Sequence, residues 1–275
     1  MAQVRTETSG FGDLMRHWRA TRKVSQLELA LTASVSQRHI SFLESGRAAP
    51  SRDMVQQLGE ALDVPLRERN RLLIAAGFAP VFEARALDDP DMAPVMEALR
   101  ITLTHHEPNP AIVVDRNWNL LMANDALGRA FSALGDLEAM WSRVCPDGER
   151  NILKLTFHPD GIRQHLTNWQ EMAPLMLLRI RREAEGQGNP ALSALVDEIL
   201  GYPGVPRRWR LQDLHRPPPP ILSLEYAIGD ERLRLFSTIA TFDTAQDITA
   251  DELRIESFFP ADQASATLLR RLAEQ

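Results

Sequence analysis

The segment from Ser25 to Arg47 constrains the fold of this chain more than any other. Ser25 stands directly before Gln26-Leu27-Glu28-Leu29-Ala30-Leu31, with Glu28 three residues on. A hydroxyl and a carboxylate at that spacing cap a helix start reciprocally, each satisfying a backbone N–H that the first turn leaves free. Thr32-Ala33-Ser34-Val35 is short and polar enough for a tight turn. Ser36 is a second N-cap, for a helix running Gln37–Glu44, and Gly46 supplies a left-handed stop. The flanks continue the pattern. Phe11, Leu14, Met15 and Trp18 recur at the spacing of one helix face. Pro50-Ser51 opens a fourth helix carrying Met54, Val55, Leu58 and Leu62, which Asp63-Val64-Pro65 ends. A fifth, Leu66–Ala76, closes at Gly77. The expectation is an all-α domain of five helices over residues 1–80.

The third helix says what such a domain can do. At 100° per residue, Ile40 and Leu43 face the core, and Gln37, Arg38, Ser41, Phe42 and Ser45 face outward. A guanidinium and an amide near a helix N-terminus suit the major groove, where Arg pairs with guanine and Gln with adenine. Gln26 opens the preceding helix, where side chain and backbone N–H suit a phosphate. Arg47, just past the third helix, suits another. The candidate DNA-facing set is Gln26, Ser36, Gln37, Arg38, Ser41, Phe42 and Arg47. Net charge is −6 over the whole chain. The first eighty residues nevertheless hold eleven basic and eight acidic side chains, against twenty and twenty-nine in the remainder. A basic head on an acidic body fits a division between a phosphate-facing part and one that stays off DNA.

The run Ser25–Ala30, Val35–Arg47 and Pro50-Ser51 resembles the xenobiotic-response-element (XRE) helix-turn-helix family, over nearly all of residues 11–77. The resemblance implies sequence-specific binding to a double-stranded, palindromic operator as a homodimer. Ser34 departs from the glycine that the family often has in the turn. Phe42 departs from a polar reader, and is expected to meet a thymine methyl or to pack against the rest of the chain. Glu44 is expected to pair with a nearby basic residue.

Beyond Gly77-Phe78-Ala79-Pro80 the pattern changes, and a second domain is read over 88–275. A helix Met92–His105 carries Val95, Met96, Leu99 and Leu103 on one stripe. Ala111–Asp115 reads as a buried strand, Arg116-Asn117 as a turn, Trp118–Ala123 as the returning strand, and Asn124 as the cap of a helix Asp125–Leu134. A helical region spans roughly 149–200, and the Pro217–Pro220 run reads as an extended connector. Strands Ile221–Ile228, Arg232–Thr241 and Leu253–Phe259 follow, with a turn at Gly229-Asp230, and Asp262–Leu272 closes the chain as a helix. Two strands, a helical block and three antiparallel strands give an α+β, PAS-like domain with a five-stranded antiparallel sheet.

Val114–Leu120 with Asn124 is similar to the PAS opening hairpin. Leu43–Arg47, Pro65–Asn70, Ala75–Pro80, Asn168-Trp169 and Glu256–Asp262 together resemble the MmyB-like transcription regulators. That resemblance implies an XRE head joined to a PAS-like ligand-binding domain. Its ligand is expected between sheet and helices, with Trp118, Phe157, Trp169, Met172 and Phe236 as walls and Arg179 or His158 as polar anchor. Such an apolar lining suits a fatty-acyl, aromatic or polyketide-like molecule. An antitoxin-like regulator whose second domain binds a protein is the alternative.

Other chemistries find less support. His105-His106-Glu107 is a poor metal site, since adjacent helical side chains point to different faces. Cys145, the one cysteine, forms no intramolecular disulfide and reads as a small buried hydrophobe. Asp115 and Glu256 read as hydrogen-bonded carboxylates, and no Ser-His-Asp signature or phosphate-cradling glycine loop is present. The expectation is a non-enzyme without cofactor, with no apolar run of membrane-spanning length, no N-terminal signal and a cytoplasmic location.

Overall fold

The computed structural model describes residues 10–206 and 220–274; the expected connector Pro217–Pro220 falls outside them apart from Pro220. They form two compact units. One comprises residues 10–85 with Glu185–Gly188 and Thr244–Asp251; the other holds the remainder. Two short segments beyond residue 88, Glu185–Gly188 and Thr244–Asp251, thus cluster with the first unit.

The first unit is helical: α1 (Phe11–Thr21), α2 (Gln26–Thr32), α3 (Gln37–Glu44), α4 (Arg52–Ala61) and α5 (Leu66–Ala75). The capping box at Ser25 and Glu28 is formed, and the Ser36 and Ser51 hydroxyls accept from the third backbone N–H of their helices. Every one of the five helices stops in the same way. The residue after the C-cap is left-handed, at Lys23, Ser34, Gly46, Asp63 and Gly77 with φ of 56°, 50°, 71°, 46° and 86°. The following N–H then closes a wide turn to a carbonyl five residues back, as in Val35 to Ala30 and Arg47 to Phe42, both 2.9 Å. Met15, Trp18, Leu29, Ile40, Leu43, Val55, Leu58 and Leu73 fill the core. Gly12 has a steric reason: a Cβ there would lie 2.6 Å from the Leu43 carbonyl oxygen.

The second unit is α+β. Its strands β1 (Ala111–Val114), β2 (Leu120–Ala123), β3 (Ser223–Ile228), β4 (Glu231–Ala240) and β5 (Arg254–Pro260) pair antiparallel in the order β2-β1-β5-β4-β3. One sheet face carries Ala111, Val113 and Ile255 against Leu99 and Leu103 of α6 (Ala93–His105). The other, with Ile112, Leu224, Tyr226, Leu233, Leu235 and Phe258, packs in a larger core with α7 (Asp125–Ser132), α8 (Leu137–Val144), α9 (Ile152–Phe157), α10 (Trp169–Gly186) and α11 (Pro190–Leu200). Asn124 caps α7 and also accepts from the Ala111 N–H, tying β1 to the helix start. The short α12 (Ile248–Glu252), all but its last residue in the Thr244–Asp251 segment of the first unit, precedes β5, and α13 (Gln263–Ala273) starts at Asp262, whose carboxylate accepts from the Ser265 N–H.

Two expectations need correction. Trp118 does not begin a strand: it sits in the hairpin turn at φ 66°, and β2 starts only at Leu120. Asp115 forces this, because its Oδ1 accepts the N–H groups of Asn117 and Asn119, both at 2.8 Å. The helices α8 and α12 were not expected at all.

Candidate nucleic-acid interface and effector cavity

In the first unit, α3 presents the expected face. Ile40 and Leu43 are buried, while Gln37, Arg38 and Ser45 are exposed and Ser41 and Phe42 half-buried. Ser36 is exposed, its hydroxyl engaged by the His39 N–H. Arg38 and Arg47 both lie against the Phe42 ring, their guanidinium carbons 5.1 and 5.9 Å from its centroid.

A carboxylate fixes this helix to its neighbours. Glu44, the last residue of α3, is buried and accepts from Arg19 Nε at 2.6 Å, Arg19 Nη2 at 3.2 Å and Gln26 Nε2 at 2.7 Å. Arg16 also donates to the Glu44 carbonyl. Burial pushes the Glu44 carboxyl up, but the hydrogen bonds from Arg19 and Gln26 outweigh it and hold it below the ordinary carboxylate value. Gln26 therefore spends an amide N–H on Glu44, a role its helix-start position did not reveal. Its backbone N–H remains at the helix terminus, where a phosphate would lie.

In the second unit the expected ligand residues divide. Phe157 and Trp169 meet edge to face at 5.5 Å and share the core with Met172. Trp118 is buried, donates from its indole N–H to Glu183 at 3.1 Å, and carries the Arg179 guanidinium 4.7 Å above its ring. It lines a cavity of about 30 Å³ together with Phe131, Tyr226, Glu256 and Phe258; a second, of about 20 Å³, adjoins along Leu127, Phe131, Tyr226 and Phe258. His158 instead meets Tyr202 edge-on at 5.0 Å. Phe236 lies on the opposite sheet face from Leu233 and Leu235, stacked on its cross-strand partner Phe259. Strand register excludes it from the cavity.

Two polar groups that line the cavity, Glu256 and Tyr226, escaped the sequence reading as cavity residues. Glu256 is buried beside the apolar wall and accepts from the Ser237 hydroxyl at 2.6 Å. Burial raises its carboxyl above the ordinary value, against the pull of Arg179 and of the Ser237 hydrogen bond. Burial likewise raises the Tyr226 phenol, with the Glu256 charge adding to it. The alternation Leu224-Tyr226 on β3 and Leu233-Leu235 on β4 was the available signal, and an aromatic count led past it to Phe236. In the run His105-His106-Glu107, His106 Nε2 lies 2.8 Å from the Phe258 carbonyl oxygen, and Glu107 pairs with Arg129.

Residues 95–272 match the model of the MmyB-like transcription regulator ligand binding domain, which is more than half of the chain. The chain belongs to the MmyB-like transcription regulators. Residues 15–69 match the helix-turn-helix model, so the regulator joins a DNA-binding unit to a ligand-binding domain. No curated protein matches it. A solved structure described as an RNA-binding Light-Oxygen-Voltage receptor aligns at 13% identity and a TM-score of 0.25; the alignment covers 98% of the regulator and 65% of that chain. No helix among the described residues is long and apolar enough to cross a membrane.

Proposed function

We propose that this regulator binds a palindromic operator as a homodimer, and that a small effector in its second unit sets the operator affinity. Gln37 and Arg38 are the base readers, with Ser41 and Phe42 beside them. Ser36, Arg47 and the backbone N–H of Gln26 take phosphates. The observation that carries this reading is the exposed Gln37-Arg38 pair at the N-terminus of α3, above a core that fixes the helix orientation.

The effector enters between the sheet and α7, α9 and α10. A cavity of about 30 Å³ has room for one water. Binding therefore spreads the helical block from the sheet. Pro174, inside α10, removes one backbone hydrogen bond from that helix and softens it. Trp118 lines that cavity and Phe157, Trp169 and Met172 pack in the same core, so a space opened there suits a fatty-acyl or aromatic body, with Arg179 as the charged anchor. The protein works in the cytoplasm and catalyses no reaction. The small cavity also favours a second reading, in which the second unit binds a protein partner, as in an antitoxin.

Selection of duplexes from a random 30-base-pair pool tests the first part. Two related half-sites about one helical turn apart are expected; failure to enrich any sequence, or enrichment of a single asymmetric site by a monomer, overturns it. For the effector, solvent extraction of the purified protein and mass spectrometry should yield an apolar molecule that raises the unfolding temperature when returned. A protein that yields none, and is stabilised only by a partner protein, supports the second reading.

A further inference from the structure

We propose that Phe42 is a positioning residue which holds Arg38 and Arg47 ready for DNA without neutralising either. This rests on the DNA-binding reading above and goes beyond it, by assigning how two cations are ordered.

Four other arginines of this unit show the contrast. Arg16 and Arg19 are engaged by Glu44, Arg69 by the Val64 carbonyl and Arg71 by Glu68. Arg38 and Arg47 have neither an ion pair nor a side-chain hydrogen bond among the described residues; each guanidinium is placed by the Phe42 ring. The difference has a chemical reason. A carboxylate partner orders a guanidinium by occupying its N–H donors and cancelling its charge. An aromatic face attracts the cation through the ring quadrupole and leaves the five N–H donors at the edge for guanine or phosphate.

The backbone brings all three residues together. Arg38 and Phe42 are four apart on one helix face. Arg47 follows the left-handed Gly46, and its N–H returns to the Phe42 carbonyl at 2.9 Å. In this helix stop the residue after the left-handed position ordinarily makes an apolar contact with the last turn. Here that contact is a guanidinium on a phenyl ring. Phe42 thereby couples a base reader inside the helix to a phosphate anchor beyond its end.

Substitution separates this role from direct reading of a thymine methyl. Leucine keeps an apolar contact and loses the π face; tryptophan keeps the face and changes the shape. The full-length wild type first selects duplexes from a random 30-base-pair pool. The enriched duplex is then titrated with F42L, F42W and R38A by fluorescence anisotropy, with unfolding temperatures measured in parallel. F42L is expected to bind about three- to tenfold more weakly at unchanged unfolding temperature, and F42W within about twofold of wild type. Repeated selection with F42L should relax the same base positions as R38A, and the F42L/R38A double variant should relax them no further. Wild-type affinity in F42L, or loss in F42W with retention in F42L, overturns the inference while the DNA reading stands. A wild type that enriches no sequence overturns both.

Discussion

The two units each bury a glutamate, and they treat it in opposite ways. In the helical unit Glu44 closes three hydrogen bonds from Arg19 and Gln26 and is held below the ordinary carboxylate value. In the sheet unit Glu256 has one hydroxyl donor, from Ser237, and burial holds it above that value. The first is a brace: it joins the end of α3 to the two helices before it. The second is a polar group kept in an apolar wall, where a hydrogen-bonding end of an incoming molecule would find it. Buried carboxylates with raised affinity for protons cluster at functional sites more than at structural ones. The contrast separates scaffold from sensor within one chain.

The largest effect should come from breaking the brace. Glu44→Ala leaves Arg19 and Gln26 without their acceptor and is expected to cost about 3–5 kcal/mol of stability in the first unit. Thermal unfolding followed at Trp18, the single tryptophan of that unit, would report it; a loss below about 1 kcal/mol would remove the distinction drawn here. The same carboxylate gives the first unit an acid limit. Its folded pKa is depressed, so its stabilisation is present above the ordinary carboxylate value and is lost as pH falls through the folded value.

Next in size are the two proposed base readers. Arg38→Ala and Gln37→Ala should each cost about 1–3 kcal/mol at the selected operator and relax its base preference, with unfolding temperature unchanged. Gel-shift titration measures both, and unchanged affinity with unchanged preference in the two variants would move the reading face elsewhere.

Glu256→Gln sharpens the comparison from the other side. Glutamine keeps an acceptor for Ser237 and removes the ionisation. Because the folded pKa of Glu256 is raised, wild-type stability is greatest below the ordinary carboxylate value and falls as pH rises toward the folded value. The variant should therefore unfold a few degrees higher than wild type at neutral pH and converge with it in acid. A variant less stable at pH 7 than at pH 4, relative to wild type, would show that Glu256 is charged and paired in the native state.

The smallest effect concerns Ser34, left-handed at φ 50° in the turn between α2 and α3. Glycine has no Cβ to strain there, so Ser34→Gly should stabilise the first unit by up to about 1 kcal/mol without altering DNA affinity. Differential scanning calorimetry would detect the gain, and a loss would mean that the hydroxyl serves the turn.

The helical unit was readable because its information is local. Caps at Ser25, Ser36 and Ser51 and stops at Gly46 and Gly77 mark five helix starts or ends to within a residue or two. The stop at Lys23 carried no mark, and those at Ser34 and Asp63 were signalled by the polar turn Thr32–Val35 and by Asp63-Val64-Pro65 instead of by a glycine. In the sheet unit the strands were legible from alternation, but their partners lie far apart in sequence, as with Val114 and Arg254. Which face of each strand met the helices depended on that register, and Phe236 was assigned to the wrong one. The helix α12 is too short to show a period, and Trp118 was taken into a strand because nothing in its own side chain signals a left-handed backbone. Glu44 illustrates a different limit. Its pairing with a basic residue could be expected, whereas its capture of Gln26 depends on how two helices cross.

The setting of Trp118 gives the molecule an optical property. Its indole N–H rests on the Glu183 carboxylate, a guanidinium lies above its ring, and one edge borders the cavity. Indole emission follows the electric field along the ring, and here a glutamate and an arginine of one helix, α10, contribute to that field. On the proposed effector reading, a molecule entering beside the ring would shift both, so that the colour and intensity of the light from this one residue would record occupancy. In a chain carrying phenylalanine at the other tryptophan positions, effector titrations would need no label.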